Sequence, residues 1–191
     1  MKRLLSLTLL LTLLVALPLS LTACNDEPPA GNTVVLEVED YGSITLVLDP
    51  EAAPLTVEHF KKIVNDGTLD GATFYRIVKN FVIQGGLINN DDVPTVKGEF
   101  KENGVNNTRP HVRGTLSMAR TNDPDSGSSE FFIVLADNAS TAYLDTRYAA
   151  FGYVSEGMDV VDAIAASPTY GEYALTDIVI TRAYIVADEA E

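Results

Sequence analysis

FYRIVKNFVIQGG, running from Phe74 to Gly86, sets Arg76 among apolar and aromatic residues at strand spacing. In an extended segment alternate side chains share a face. Phe74, Arg76 and Val78 are therefore expected on one side, with Tyr75 and Ile77 on the other. A bend is expected at Lys79-Asn80, after which Val82 and Gln84 form a second same-face pair. Two readings of Arg76 are open from these residues alone. Either it snorkels from a sheet edge with its stem on apolar neighbours, or it is fixed on a hydrophobic wall to do chemistry.

On the N-terminal side, Thr33 to Val38 and Ser43 to Leu48 are β-rich runs separated by Glu39-Asp40-Tyr41-Gly42. They read as a hairpin in which Ile44, Leu46 and Leu48 share a face. A helix follows from Ala53-Pro54-Leu55-Thr56, with Thr56 as its N-cap, Glu58 in the first turn, Val57, Phe60 and Val64 on one side, and Gly67 as the stop. On the C-terminal side, the polar region from Asn89 to Arg113 is too long for an idle connection, so it is expected to line a site or cap the fold. Gly114 to Met118, Glu130 to Leu135, Ala149 to Val154 and Asp177 to Val186 are further strands, and Gly157 to Ala166 is a second helix. Many short strands with two helices predict one mainly β domain, a closed barrel with helices over its ends. Nothing in the order of elements supports a parallel α/β sheet, and no internal repeat is visible.

Before this domain, Met1-Lys2-Arg3 and the leucine-rich run from Leu4 to Leu17 have the charged start and short apolar core of a secretory signal peptide. Pro18 interrupts the run, which argues against a spanning anchor. Leu21-Thr22-Ala23-Cys24 resembles a bacterial lipobox, which implies cleavage after residue 23 and acylation of Cys24. Cys24 is the only cysteine, so no intrachain disulfide can form. Residues 24–32 read as a polar, proline-containing tether and 187–191 as an acidic tail around a domain at 33–186. The membrane is then reached through acyl chains, more than one of which is needed for stable anchoring. The expected place is the cell envelope, on the non-cytoplasmic side of a membrane whose identity stays open. The chain carries 27 acids against 13 lysines and arginines, and loss of the signal peptide removes Lys2 and Arg3 but no acid. Such a surface argues against nucleic acid and anionic headgroups and favours basic or neutral partners.

Four segments together, FYRIVKNFVIQGG, GTLSMAR (Gly114 to Arg120), SSEFFIVLAD (Ser128 to Asp137) and YLDTRYAAFGYV (Tyr143 to Val154), resemble the cyclophilin family of peptidyl-prolyl isomerases in order and spacing. The resemblance covers nearly all of the mature domain. It implies a closed eight-stranded antiparallel barrel capped by two helices. It also implies rotation about the bond before proline, without cofactor or metal. Arg76 resembles the family's catalytic arginine. Phe81, Val82, Phe132, Leu144 and Tyr148 match the lining of its proline slot, and Gln84 matches the side chain that holds the substrate backbone. Ala119 and Arg120 stand where the family pairs its backbone with the residue before proline, and Glu130 stands beside the site. Phe131 and Phe151 read as core. The implied partners are proline-containing polypeptides, exported proteins among them, bound by a monomer.

Departures from the family pattern are Val82 in place of a common methionine, Tyr75 and Tyr148 in place of histidines, Tyr143 where some members carry tryptophan, and Leu87 in place of a frequent aspartate. Because the tryptophan place helps bind cyclosporin, weakened inhibition is expected. Glu130 replaces a neutral glutamine. A carboxylate there could pair with the Arg76 guanidinium while damping its potential, lowering intrinsic activity or favouring basic residues near the substrate proline. Other signals lead elsewhere. Asn122 to Gly127 fails the spacing of a calcium loop, His59 and His111 read as structural, and Ser117 and Ser128 lack a triad partner in the sequence, which discounts a hydrolase. Two function classes remain: an active isomerase using Arg76, or a tethered binding module or chaperone using the same groove with little turnover.

Overall fold

A computed structural model describes residues 31–88 and 91–187. The expected signal peptide and Cys24 lie outside the described residues, as do most of the tether and of the acidic tail. The strands are β1 (Thr33–Val38), β2 (Gly42–Leu48), β3 (Thr73–Val78), β4 (Val82–Gly86), β5 (Thr115–Met118), β6 (Phe131–Val134), β7 (Ala150–Glu156), β8 (Thr169–Tyr170), β9 (Tyr173–Ala174) and β10 (Ile180–Val186). The helices are α1 (Pro54–Asn65), α2 (Ala139–Ala142) and α3 (Met158–Ala165).

Period-two alternation builds the first hairpin. Val34, Leu36 and Val38 of β1 and Ile44, Leu46 and Leu48 of β2 are all buried on the core face. Asp40 takes a left-handed backbone (φ 65°) to make the turn. All ten strands then pair antiparallel in the order β10-β1-β2-β7-β5-β6-β4-β3-β9-β8. The fold is mainly β with a few helices.

The expected closed eight-stranded barrel with two helices needs three corrections. Pro168 to Leu175 contributes the small hairpin β8–β9, which extends the sheet beside β3 to ten strands. The ladder does not close. β10 spends its length on β1, from Ile180 to Val186, and only its lead-in meets β3. That seam has the single bridge Thr73–Val179 and three hydrogen bonds, from Phe74 N–H to Ile178 O (2.9 Å), Ile180 N–H to Ala72 O (2.8 Å) and Gly71 N–H to Ile180 O (2.8 Å). Third, α2 is added, capped by Asn138, whose side-chain oxygen accepts from the Ser140 and Thr141 N–H groups.

The alternation expected along β3 also fails, at a bulge. Phe74 pairs with Gly85 and Arg76 with Gln84, so Tyr75 is an extra residue opposite none. Phe74 and Ile77 thus both reach the core, three residues apart. Tyr75 and Arg76 are left together on the outer side, where they share partners.

Helix α1 buries Val57, Phe60, Ile63 and Val64. Phe60 packs edge-on to Phe131 (5.6 Å) and tilted against Phe151 (5.0 Å) at the centre of the main core. Thr56 is not its N-cap. Ala53 holds that position and Pro54 opens the helix, placing Thr56 inside the first turn. The orphan donors there are satisfied by Glu99. Its carboxylate accepts from Leu55 N–H (3.1 Å), Thr56 N–H (2.7 Å) and Thr56 Oγ1 (2.7 Å). The long polar region is therefore anchored by buried polar groups as much as by apolar ones. Asn107 Nδ2 donates to Glu99 O and Ala150 O, and Arg109 Nε donates to Asp49 (2.8 Å). No helix among the described residues is long and apolar enough to cross a membrane.

Candidate active site

The sheet has two apolar sides. Ile83 on β4, Leu116 and Met118 on β5, and Phe131 and Ile133 on β6 belong to the main core. Their neighbours Val82, Phe132 and Val134 point the other way and, with Ala119 and Leu144, form a second cluster against which Phe81 and Tyr148 pack. This second cluster does not close over itself. It leaves a cavity of about 160 Å³ lined by Arg76, Phe81, Val82, Gln84, Ala119, Arg120, Phe132, Leu144 and Tyr148. Every one of those residues is a site residue expected from the sequence. Glu130 lines an adjoining cavity of about 340 Å³ that shares Gln84, Ala119 and Arg120 with the first.

The floor is Phe132, set edge-on to Tyr148 (5.6 Å, 83°) and stacked on His111 (6.0 Å, 21°). One wall is stiffened by Arg120. Its Nε and Nη2 donate to Arg147 O (3.1 and 2.9 Å), and its guanidinium lies over the rings of Tyr148 (4.7 Å) and Phe100 (5.0 Å). The Arg120 side chain is thus committed to the wall. The cavity is smaller than the roughly 300–1,000 Å³ typical of drug-sized ligands and suits a single small apolar ring.

Arg76 stands on the rim, partly exposed, and is gripped twice. Nη1 donates to Gln84 Oε1 (3.1 Å), and Nε donates to Glu172 Oε2 (2.8 Å). Gln84 is itself oriented, because its Nε2 donates to Glu130 Oε2 (2.9 Å) and to the Tyr75 hydroxyl (2.5 Å). Its carbonyl oxygen must then face Arg76. The arrangement can present a cationic hydrogen-bond donor, at fixed orientation, to the edge of a small apolar slot.

Comparison with known proteins places the chain in a family. The family model for cyclophilin type peptidyl-prolyl cis-trans isomerase/CLD matches residues 33–185. The chain belongs to the cyclophilins. It is 42% identical over 159 residues to peptidyl-prolyl cis-trans isomerase A of Dickeya dadantii, covering 79% of this chain and 81% of that one. It is 39% identical over 141 residues to a peptidyl-prolyl cis-trans isomerase of Acinetobacter baylyi, covering 73% and 75%. A solved cyclophilin from Hirschia baltica superposes with a TM-score of 0.68 at 28% identity, covering 84% of this chain and 76% of that one. This cyclophilin is accordingly an enzyme, a peptidyl-prolyl cis-trans isomerase.

Around the cyclophilin pocket, two arrangements differ from the sequence reading. Glu130 does not pair with Arg76. Gln84 lies between them, and the carboxylate accepts instead from Gln84 and from the Tyr75 hydroxyl. Gly86 permits this approach. Its φ is +119°, and a Cβ there would come within 2.4 Å of Ser129 O, beside Glu130. Burial, and then the Glu130 carboxylate, push the Tyr75 phenol above its usual pKa, so it remains a donor.

Ser117, for which the sequence offered no triad partner, has one. His111 sits between Ser117 Oγ (Nε2, 2.9 Å) and Asp145 Oδ1 (Nδ1, 3.0 Å). With the Nδ1 proton on the carboxylate side, Ser117 donates to Nε2. Both Ser117 and His111 are buried beneath Phe132, so no substrate can reach the hydroxyl and a hydrolase remains discounted. His59 is structural too, its Nε2–H donating to Ser128 O (2.7 Å). In the Asn122–Gly127 segment Asp123 accepts from Asp125 N–H within the turn, while Asp125 accepts from Gly98 N–H and ties the turn to the long polar region. Sequence reasoning missed Glu172, because it arrives from a hairpin too short to show a strand pattern.

Proposed function

We propose that Arg76 is the catalytic group of this isomerase and that the cavity floored by Phe132 takes the substrate proline ring. The observation that carries this reading is the position of Arg76, a guanidinium fixed by Gln84 and Glu172 at the mouth of an apolar slot. The barrier to amide rotation is about 18–20 kcal/mol because resonance is lost in the twisted form. As the twist develops, the prolyl nitrogen regains a lone pair, and a donor aimed at it stabilises that state over either planar form. An acceleration of about 10⁵ needs about 7 kcal/mol of such selectivity. It would be shared between the donor, desolvation in the slot and a grip on the chain by Gln84 and the backbone at Ala119 and Arg120.

The substrates in this reading are proline-containing segments of exported, incompletely folded proteins, met by a monomer acylated at Cys24 in the cell envelope. This placement follows from the N-terminal sequence. Tyr143, 61% exposed and overlain by Arg147 (4.2 Å), offers a smaller and partly occupied surface for cyclosporin, in keeping with weak inhibition.

The test is prolyl cis/trans exchange measured by NMR on a neutral proline tetrapeptide. Arg76→Ala is expected to lower turnover by about a hundredfold or more, the usual cost of one transition-state donor, while peptide binding survives. Slow exchange in the wild-type chain with intact binding would instead establish the binding-module reading.

A further inference from the structure

Resting on that reading of Arg76, the geometry points to Glu172 as a positioning residue for catalysis, delivered to the site by the β8–β9 hairpin. Tyr170 and Tyr173 pair across the hairpin, with Gly171 in the left-handed region (φ 63°) to make the turn. The Glu172 carbonyl accepts from Ile77 N–H (2.7 Å), and Tyr173 is the bridge partner of Arg76. Residue 172 is thereby locked beside β3 by backbone alone, before its side chain makes any contact.

From there its carboxylate accepts from Arg76 Nε (2.8 Å). Gln84 takes Nη1 on the cavity side. With Nε and Nη1 each tied, the guanidinium plane is held at two points, and Nη2 is the nitrogen without a hydrogen-bond partner among the described residues. An arginine side chain left to itself samples many rotamers, and its planar fork loses little further entropy once it is pre-set. Glu172 therefore acts on the orientation of the donor and not on the proline slot. Its effect belongs in turnover and not in substrate affinity. The ion pair is also accessible, with Glu172 about half exposed, so salt weakens it.

The experiment compares the full chain with Glu172→Ala, Glu172→Gln, Arg76→Ala and the Arg76→Ala/Glu172→Ala double variant, by exchange NMR on the neutral tetrapeptide at low and high salt. The expectation is a kcat about three- to fivefold lower in Glu172→Ala, the scale of an exposed ion pair, with KM within about twofold. Glu172→Gln, which keeps an acceptor without the charge, should fall between. Raising salt should bring the wild type toward the Glu172→Gln rate while Glu172→Ala stays flat. In the Arg76→Ala background, removal of Glu172 should change nothing. An unchanged or raised kcat in Glu172→Ala overturns the proposal, as does a loss confined to KM or one that persists at the same factor without Arg76. If instead Arg76→Ala itself keeps wild-type turnover, the assignment of Arg76 fails, and the two failures are distinguishable.

Discussion

At the scale of single residues, the chemistry around Arg76 is governed by who holds which proton donor. Glu130 accepts from both Tyr75 and Gln84, and so fixes the Gln84 carbonyl toward the guanidinium while adding negative charge nearby. Glu130→Gln keeps an acceptor and removes the charge. Turnover on neutral peptides should rise about two- to fivefold, and the preference for a basic neighbour of proline should shrink. An identical rate in the two proteins would count against electrostatic damping. His111 makes a second prediction. Burial depresses its imidazole pKa against the opposing pull of Asp145, so the folded protein holds it neutral. The unfolded chain takes up that proton first, near the model-peptide value of about 6.5. Its contribution to stability is thus complete above that pH and is lost as pH falls through 6.5 toward the lower folded value. Urea denaturation at pH 7.5 and 5.5 should show a decline in the wild type that is shallower in His111→Gln, by at most about 1.4 kcal/mol per pH unit.

At the scale of elements, the decisive surprise is that α1 is capped from a distance. Glu99, buried at 3% exposure, supplies the acceptors for two backbone N–H groups and a hydroxyl. Glu99→Ala should cost about 2–3 kcal/mol in chemical denaturation, because the donors it leaves are largely shut off from water. A loss under about 0.5 kcal/mol would mean that water reaches the helix start. The same cap shows where sequence reading stops. The β1–β2 hairpin and the lining of the cavity were legible because period-two alternation and local motifs carry them, as with Val82 and Gln84 on one side of β4. Thr56 misled because a threonine before a helical pattern is a local cap signal, whereas the acceptor comes from residue 99, 43 positions away. The Tyr75 bulge was invisible for a related reason. It is set by the need of Phe74 and Ile77 to reach one core, a condition imposed by the opposing strand, where Gly85 makes room for the Phe74 ring. Glu172 and the His111–Ser117 bond likewise depend on chain segments that meet only after folding.

At the scale of the whole molecule, the sheet is curled so that the lead-in to β10, at one end, meets β3 through a seam and not a ladder. Amides that depend on that seam, Phe74 and Ile180, should exchange with solvent faster than those of the continuous β1–β2 and β1–β10 ladders. Hydrogen exchange resolved by residue checks this, and equal protection throughout would show that the seam is as strong as the ladders. The surface around this sheet is acidic, with a formal charge of −14 for the chain, so basic peptides should associate faster at low salt. The two-sided build of β4 and β6 has a different consequence. Along each strand, one set of alternate positions faces the main core and the interleaved set faces the second cluster, where Val82, Gln84 and Phe132 line the cavity. A mutational library confined to residues 82 and 132, which keeps Gln84 and its grip on Arg76, can therefore search for new peptide preferences while leaving the main core unchanged, a separation that makes this domain a tractable starting point for evolving isomerases of chosen selectivity.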